Sequence, residues 1–451
     1  MSREIYHNGL FYRFVKLLAN FGLRAYFGRI VVKGRENLPS DTPYILAPNH
    51  QNAFVDALMI LQINKFRPTV FVARADIFGS ALARRVLGFL KIMPVYRARD
   101  GKESLAQNER IFEKSVEVVL HNTPFCIMAE GTHNDRRQLL PLKKGIFRIA
   151  FVAQQKLGDK PLYIVPVGID YESYDKPGHT AIINIGQPIA VKDYIESYQD
   201  NNALAINKIK EALQVAMTAQ MHNIQSAEHY EEFYLLSKLY ADALGEGCGG
   251  KATWRRFELR RQMTQKLDGW EQHNPQNASD IAKEISDTAT LCRAHEIDSM
   301  RLFETKSVVE TVVGTILLVG IPMAIALLNW RLLVMLLLLC PIPFLPTRLL
   351  FRNVEDRQFV GSLNFAVQFV LVVLYLLAMT IAVGLLQGWG YATAALVAGI
   401  AVWRTAYRLG TLAKRLLIGW KLLFFKQKTA KIMKEKFDEI FIQLLPTETG
   451  R

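Results

Sequence analysis

The first pattern that suggests chemistry is a histidine and an aspartate that flank a strand-to-helix junction. Residues 44–60, YILAPNHQNAFVDALMI, begin as an apolar strand that ends at Pro48 and continue as an amphipathic helix. His50 and Asp56 are separated by five residues across this junction. Histidine is the natural general base near neutral pH, and a nearby carboxylate can accept its ring N–H and stabilise the imidazolium that forms. The pair predicts proton abstraction if the chain turns back at HQNA, whereas a surface histidine beside a first-turn aspartate fits the same pattern.

The elements around this pair predict an α/β fold for residues 31–225. Six apolar runs of strand length alternate there with helical stretches: PYILAPN, RPTVFVAR, LKIMPVYR, PFCIMAEG, LYIVPVGID and TAIINIGQPI. Short apolar strands separated by helices predict a largely buried central sheet flanked by helices. A residue at a strand-to-helix junction then lies at the carboxyl edge of the sheet, where α/β proteins usually bind ligands. His50 occupies such a position.

Composition limits the classes of partner. The chain has 451 residues, of which 50% are hydrophobic and 21% charged, as in a protein with soluble and lipid-facing parts. Its formal net charge of +14 suits a phosphate-bearing substrate, an anionic membrane surface or nucleic acid. The positive charge is concentrated beside hydrophobic runs, so no nucleic-acid partner is expected. The four cysteines form no C-x-x-C pair, so neither a zinc knuckle nor a disulfide framework is expected.

Both ends of the chain show basic amphipathic patterns. In residues 1–30, apolar side chains recur at helical spacing with basic ones between them: Phe11, Phe14, Val15, Leu18 and Phe21 with Arg13, Lys16 and Arg24. The pattern predicts a membrane-associating helical segment, although an ordinary helix packed on the core fits it as well. Residues 404–451 form a basic amphipathic tail, which predicts a helix on an anionic leaflet or, alternatively, a solvated basic helix.

A transmembrane region of about four helices in two hairpins is predicted for residues 306–403. The four apolar runs are residues 308–328, 332–345, 365–386 and 390–403, and a bilayer core needs roughly 20 residues. The loop between the second and third runs carries Arg348, Arg352 and Arg357, which places it inside. The chain is therefore predicted to be a multi-pass cell-membrane protein with its α/β domain on the cytoplasmic side. Residues 226–305 are interpreted as a helical linker region without a legible function.

Four segments in order carry a resemblance to a known family. They are NHQNAFVD, GFLKIMPVYRARD, MAEGTHNDRR and YIVPVGIDY. Together they resemble the motif blocks of the glycerolipid acyltransferase family, which contains lysophosphatidate and glycerol-3-phosphate acyltransferases. The resemblance covers about residues 30–200. The family's first block is N-H-x4-D, so the five residues between His50 and Asp56 are a departure, similar to a variant in some fungal-type glycerol-3-phosphate acyltransferases.

The resemblance implies transfer of a fatty acyl group from acyl-CoA or acyl-ACP to glycerol-3-phosphate or 1-acylglycerol-3-phosphate in phospholipid synthesis. His50 would remove the hydroxyl proton and Asp56 would orient and support His50, without an acyl-enzyme intermediate. The reaction needs no metal and no cofactor beyond the acyl co-substrate. A phospholipid membrane and a glycerol phosphate or lysolipid acceptor are the implied partners.

The resemblance also implies the substrate-binding residues. These are Asn49, Arg97, Arg99, Glu130, Gly131, Thr132 and Lys144. Arg97 falls where the family uses arginine to hold the acceptor phosphate, a task that suits its planar two-pronged donor. Glu130 would contact an acceptor hydroxyl or brace the site. His133 stands where the family usually has arginine, so Arg136, Lys143 or Lys144 would share its phosphate contact.

Two alternatives and one excluded class complete the prediction. The chain could act on another lysolipid, or the altered first spacing and His133 could mark a catalytically silent lipid-binding relative. The segment GEGCGGKAT has the G-x4-G-K spacing of a P-loop, but Ala252 stands where such a loop needs Ser or Thr for magnesium. A helix end and turn at Gly245 is the better interpretation, and nucleotide hydrolysis is not expected.

Overall fold

The structure is a computed structural model. It describes residues 5, 8–64, 67–96, 102–134, 136–245, 249–304, 308–320, 323, 327, 351, 353–354 and 357–444. The predicted second span at 332–345, together with Arg348 and Arg352 of the predicted basic loop, lies outside the described residues.

A mixed, mostly parallel sheet forms the centre of the predicted α/β domain. Its strands are β1 Arg29–Lys33, β2 Tyr44–Pro48, β3 Val70–Arg74, β4 Ile92–Val95, β5 Phe125–Cys126, β6 Tyr163–Tyr171, β7 Thr180–Ile185 and β8 Ile189–Ala190. The order across the sheet is β1-β7-β6-β2-β5-β3-β4, and β8 pairs with β6. β7 and β8 run antiparallel to β6, whereas β2 is parallel to both of its neighbours, β5 and β6. All five residues of β2 are buried, which is why its sequence is an unbroken apolar run.

The helices lie on both faces of the sheet and continue beyond it. They are α1 Leu10–Tyr26, α2 Ala53–Leu61, α3 Ala81–Phe89, α4 Lys102–Leu120, α5 Gly145–Leu157, α6 Ile195–Asp200, α7 Asn202–Thr218, α8 Tyr230–Leu244, α9 Gly249–His273, α10 Pro275–Ala294, α11 Val308–Thr315, α12 Arg357–Gln387, α13 Trp389–Trp420 and α14 Gln427–Leu444. On one face α4, α5 and α7 bury a core around Phe147, Phe151 and Leu213. On the other face α1 and α2 share a core with α12 and α13. The expected α/β core flanked by helices is confirmed.

The first helix, α1, makes polar contacts with the domain along its N-terminal half. Lys16 is only 6% exposed, and its Nζ donates to the backbone carbonyls of Asn64 and Arg67. Arg24 donates to the side chain of Gln62 at 3.0 Å. The apolar side of α1 is exposed at Leu10, Phe11, Phe14 and Leu17. The N-terminal half of α1 thus exposes its apolar side chains, whereas further along the helix Leu23 and Tyr26 are buried in the core as in an ordinary surface helix.

The last helix, α14, has the opposite orientation. Its apolar residues Met433, Phe437 and Ile440 are buried in a core that α8 and α10 also line. The apolar face of α14 is therefore covered by the helical region, whereas Leu417, Phe424 and Phe425, earlier in the predicted tail, are exposed. Contact of residues 404–451 with a leaflet stays a prediction. A helix covered by protein and a helix covered by lipid have the same sequence pattern, because the pattern shows an apolar face without showing what covers it.

An apolar helical hairpin leaves the α/β domain and returns to it. Among the described residues, one helix is long and apolar enough to cross a membrane, and its apolar part is Phe359–Gln387 in α12, at the predicted third span. Gly388, with φ of +99°, connects it to α13. The two helices run back to back, since Gly399 of α13 packs on Leu376 of α12. The predicted fourth span, residues 390–403, is the first half of α13, which continues without a break to Trp420, so the predicted boundary at 403 falls inside a helix.

The remaining sequence predictions concern short segments. Helix α8 ends at Leu244 and Gly245 is its C-terminal cap, as predicted in place of a P-loop. The first predicted span, 308–328, is described as a helix only for Val308–Gly320 and two single residues.

Candidate active site

The His50–Asp56 pair forms at the carboxyl end of β2. Asp56 lies in the first turn of α2 and is fully buried, while the His50 side chain is 18% exposed. The Nδ1 atom of His50 lies 2.8 Å from Oδ2 of Asp56. With Nδ1 hydrogen-bonded to the carboxylate, Nε2 is the ring nitrogen that can accept a proton from a substrate. The two residues therefore have the geometry of a general base and its supporting acid.

Asp56 is held by donors on both carboxylate oxygens. Besides His50, Oδ2 accepts the backbone N–H groups of Gln51 and Asn52 at 2.8 and 2.7 Å. Oδ1 accepts the hydroxyl of Tyr171, the last residue of β6, at 2.5 Å. Burial, together with the negative charge of Asp56, raises the pKa of Tyr171, so its hydroxyl keeps its proton and donates. These contacts fix the orientation of Asp56 toward His50.

The backbone between His50 and Asp56 contains one residue in a left-handed conformation. Ala53 has a φ of +41°, a conformation that residues with a Cβ seldom adopt. It is the first residue of α2, directly after Asn52. The chain thus turns back toward His50 within the five-residue spacing, and the contact between the ring and the carboxylate forms despite it.

Glu130 braces the loop that carries His50. Its Oε1 accepts the backbone N–H of His50 at 2.6 Å, and its Oε2 accepts that of Leu140 at 2.8 Å. The side chain is 2% exposed, and burial raises its pKa to about 7 against the opposing effect of these hydrogen bonds. Gly131 follows with a φ of +70°, and a Cβ there would lie 3.1 Å from Lys143. Of the two roles predicted for Glu130, the geometry favours bracing.

Asn49, predicted to contact the substrate, is bonded to the neighbouring strand behind the site. It is fully buried, and its amide exchanges two hydrogen bonds with the backbone of Ile169 on β6, at 3.0 and 2.6 Å. Its side chain continues the pairing of β2 with β6 by one residue, so it positions His50 from behind. A polar residue beside a histidine is compatible with both roles, and only the neighbouring strand decides between them.

The residues predicted to bind the substrate in the second and third motifs are only partly described. Arg97 and Arg99 lie outside the described residues. Thr132 and Lys144 are exposed, the latter directly before α5. His133 lies beside the pair, with its ring centroid 5.7 Å from that of His50. The structure therefore brings His50, Asp56, Glu130 and His133 together, and leaves the acceptor phosphate contact as a prediction.

Two arginines at the end of the third motif, Arg136 and Arg137, contact different partners. Arg137 is buried, and its Nε lies 3.2 Å from Oδ1 of Asp170. Its guanidinium also lies 4.6 Å from the ring centre of Tyr234 on α8, which ties the helical region to the α/β domain. The guanidinium of Arg136 lies 5.0 Å from the ring centre of Tyr230. Within the described residues, no group of three His, Cys, Asp or Glu side chains could hold a metal ion.

Sequence reasoning missed two residues that contact the catalytic loop. Tyr171 ends the fourth motif block, YIVPVGIDY, so its place on the central sheet was a usable signal. Ser362 on α12 contacts the backbone of Asn52 and Val55, although it is more than 300 residues away in the sequence. No local pattern could have indicated that contact.

The comparison with protein families assigns the site to a class. Residues 29–170 match the family model described as Acyltransferase, and this segment contains the His50–Asp56 pair, Glu130 and most of the sheet. The segment is similar to the acyltransferase family, as the resemblance predicted, and the match covers less than half of the chain.

Individual relatives are similar over 23% to 32% of the chain. Glycerol-3-phosphate O-acyltransferase 1 of Saccharomyces cerevisiae is 30% identical over 103 residues, which is 23% of this chain and 14% of that protein. The mouse 1-acyl-sn-glycerol-3-phosphate acyltransferase alpha is 25% identical over 142 residues, 32% of this chain and 48% of that protein. A chloroplastic 1-acyl-sn-glycerol-3-phosphate acyltransferase of Brassica napus is 28% identical, over 31% of this chain and 39% of that protein. The matches thus span less than half the length of each of these relatives.

A solved structure is also similar. It is the 1-acyl-sn-glycerophosphate (LPA) acyltransferase PlsC from Thermotoga maritima, with 20% identity and a TM-score of 0.32 over 46% of this chain and 77% of that one. At this TM-score the likeness supports no statement about function.

Proposed function

We propose that this chain transfers a fatty acyl group from a thioester donor to the hydroxyl of glycerol-3-phosphate or 1-acylglycerol-3-phosphate. The observation that carries the proposal is the 2.8 Å hydrogen bond between His50 and Asp56 at the carboxyl edge of the sheet, within the segment similar to the acyltransferase family. The names of the similar relatives, a glycerol-3-phosphate acyltransferase and several 1-acyl-sn-glycerol-3-phosphate acyltransferases, support this acceptor class.

The proposed reaction is a direct transfer. Nε2 of His50 removes the acceptor hydroxyl proton while the hydroxyl oxygen attacks the thioester carbonyl carbon. Asp56 stabilises the imidazolium through Nδ1. The carbon–sulfur bond then breaks, and the leaving thiolate takes the proton from Nε2, so that a new ester and a free thiol are formed. Acyl-CoA and acyl-ACP both supply the required thioester.

The acceptor phosphate would be bound by basic side chains near the pair. Arg97 and Arg99 remain the proposed ligands, with Thr132 and Lys144 of the following motif as supporting donors. An Arg97→Lys variant should raise the KM for glycerol-3-phosphate, because a point charge cannot reproduce two parallel hydrogen bonds. An unchanged KM would move the phosphate site to Lys144 and Arg136. A neutral lysolipid preferred as acceptor would favour the alternative substrate class.

The structure supports a membrane setting with both ends of the hairpin on one side. Helix α12 begins against the catalytic loop, and α13 returns to the domain, where Gly178 packs on Tyr407. Helix α12 is long and apolar enough to cross a bilayer, and the proposal takes the first half of α13 as the returning span. The proposal is therefore a multi-pass membrane protein whose catalytic domain and C-terminal helix share the cytoplasmic side, where thioester donors are found.

Cysteine labelling tests this topology. Ser40→Cys and Lys428→Cys, both exposed positions, are placed singly in a chain without other cysteines and treated with an impermeant reagent in intact cells. Neither should react. Labelling of Lys428→Cys alone would show an odd number of crossings, and labelling of both would place the domain outside the cell.

Activity of purified membranes tests the reaction. A labelled acyl donor and a panel of glycerol phosphate and lysolipid acceptors are compared for wild type, His50→Ala and Asp56→Asn. His50→Ala should lower turnover by about 100- to 10,000-fold, because the general base is lost. His121→Ala at the exposed end of α4 is a matched control and should keep wild-type turnover. Normal turnover in His50→Ala, or none in the wild type with every acceptor, would overturn the proposal; the second result would favour a silent lipid-binding relative.

A further inference from the structure

Helix α2, which carries Asp56, lacks a cap from its own sequence. Asn52 stands at the N-cap position, but its side chain makes no capping hydrogen bond. Its Nδ2 instead donates to the carbonyl of Tyr174 at 3.2 Å. An N-cap side chain normally accepts a hydrogen bond from the second or third N–H of the helix, which otherwise has no partner within the helix.

Ser362 of α12 supplies an acceptor at that place. The N–H of Val55, the third residue of α2, donates to the carbonyl of Asn52 at 2.9 Å, and Ser362 Oγ is a second, longer acceptor for it at 3.3 Å. The same hydroxyl donates to the carbonyl of Asn52 at 3.0 Å. Ser362 is 5% exposed. Its hydroxyl therefore bridges the two sides of Ala53, the residue whose φ of +41° accompanies the long spacing of the His–Asp motif.

Ser362 binds the backbone of Asn52, and Asn52 in turn binds the carboxylate of Asp56. The peptide unit after Gln51 presents the N–H of Asn52 to Oδ2 of Asp56, and the carbonyl of the same Asn52 accepts from Ser362. Asp56 follows Val55 directly in the helix, so a first turn held at Val55 also fixes the Cα of Asp56. The hydroxyl of Ser362 thus acts on His50 through Asp56 and touches neither of the catalytic side chains.

The close approach of α12 requires a glycine beside the serine. A Cβ at Gly361 would lie 2.2 Å from the carbonyl oxygen of Tyr174 and 3.1 Å from Oδ1 of Asn52. Phe359, one turn earlier, lies against His133 with ring centroids 5.5 Å apart. The first turn of the apolar helix therefore contacts both loops that form the site.

We propose that Ser362 is a positioning residue for the acyl transfer, which caps the catalytic helix α2 from the helix that could cross the membrane. The inference rests on the proposed function, since it assumes that the His50–Asp56 pair does the chemistry. It assigns to the C-terminal region, outside the family match at 29–170, a direct part in shaping the active site. It also gives a physical reason why the five-residue spacing is tolerated here.

Two variants test the inference by changing different features of the contact between α12 and α2. Ser362→Ala removes the hydroxyl, and Gly361→Ala keeps it but pushes α12 away from Tyr174. Each should lower kcat by about 10- to 100-fold, the size expected when a catalytic group is misplaced by about 1 Å. The KM for the acceptor should change less than twofold, because neither residue contacts the substrates. Thr380→Val, which removes a hydroxyl later in α12, and Gly390→Ala, where a Cβ meets nothing, are the matched controls.

A double-mutant cycle separates positioning from a general loss of structure. If Ser362 acts through Asp56, Ser362→Ala should cost less than about twofold in turnover when Asp56 is already Asn. All rates are measured at least 15 °C below the Tm of each variant. A wild-type kcat in both test variants, or the same loss in the Asp56→Asn background, would overturn the inference. If His50→Ala stays active, the proposed function fails instead, so the two failures are distinguishable.

Discussion

Helices α1 and α14 have similar sequences in pattern and opposite orientations in the structure. Both place apolar residues at helical spacing with lysines and arginines between them. Helix α14 buries that stripe, with Phe437 fully enclosed between α8 and α10. Helix α1 exposes it, with Phe14 60% exposed, and turns Lys16 toward the domain.

The difference shows what an amphipathic pattern can and cannot determine. An apolar stripe must be covered by something apolar, and burial is favourable by roughly 25 cal/mol per Å² whichever surface provides it. For α14 the helical region provides the cover. For α1 the polar contacts of Lys16 and Arg24 hold the opposite face, so the apolar side chains of its N-terminal half stay exposed, next to the apolar hairpin that packs on Phe21 and Gly22. Lipid is the cover that we propose for them.

The largest expected effect is the loss of a buried ring in α14. Phe437→Ala should lower the free energy of unfolding by about 3–5 kcal/mol, because it leaves a cavity in the helical region. Phe14→Ala in α1 should change it by less than about 0.5 kcal/mol in detergent. Denaturant unfolding of both variants measures the contrast, and equal small effects would show that α14 is not packed as described.

The next effect concerns the buried lysine of α1. Burial lowers the pKa of Lys16 to about 8, so between pH 8 and its ordinary value of 10.5 the unfolded chain binds more protons than the folded one. The contribution of Lys16 to the free energy of unfolding should therefore rise with pH across that window, by roughly 2–3 kcal/mol at most.

Lys16→Met should lack this rise, since it has no proton to release. The comparison is the free energy of unfolding of wild type and variant at pH 7.5 and pH 10, with Lys431→Met on the exposed side of α14 as the control for losing a lysine. Parallel pH profiles for Lys16→Met and wild type would contradict the burial of Lys16 against Asn64 and Arg67.

Lipid contact should distinguish the two exposed apolar positions. Phe14→Cys in α1 and Ile442→Cys in α14, which are similarly exposed, are labelled with an environment-sensitive dye in proteoliposomes. Moving the exposed part of a phenylalanine into lipid is worth about 1–2 kcal/mol, so the probe on α1 should report an apolar environment. The probe on α14 should stay in water. The same environment at both positions would remove the distinction between the helices.

The smallest effect is expected on the basic face of α14. Lys431 and Glu435 form an exposed pair at 3.8 Å, so Lys431→Gln should change stability by less than about 0.5 kcal/mol. The measurement is repeated in proteoliposomes with and without anionic lipid. If the polar face of α14 rests on a leaflet, the loss would grow to about 1 kcal/mol in anionic lipid and vanish in neutral lipid.

By itself, the sequence determined the local elements and the class of chemistry. The run YILAP predicted a buried strand, and β2 is buried at every position because it pairs on both sides and is covered on both faces. The place of His50 at the end of that strand followed from the alternation of strands and helices. Asp56, six positions further on, needed only a turn, and local geometry brought the two side chains together.

The tertiary structure alone decided which surfaces and distant residues complete the site. It made Asn49 a link to β6, placed Tyr171 on Asp56, and brought Ser362 to the first turn of α2. It also decided that the apolar face of α14 packs on protein while the apolar side chains in the N-terminal half of α1 are exposed. The physical reason is that periodicity records the existence of an apolar face, and burial is non-directional, so the covering partner depends on topology. A hydrogen bond between residues 52 and 362 likewise exists only because the chain has already folded around them.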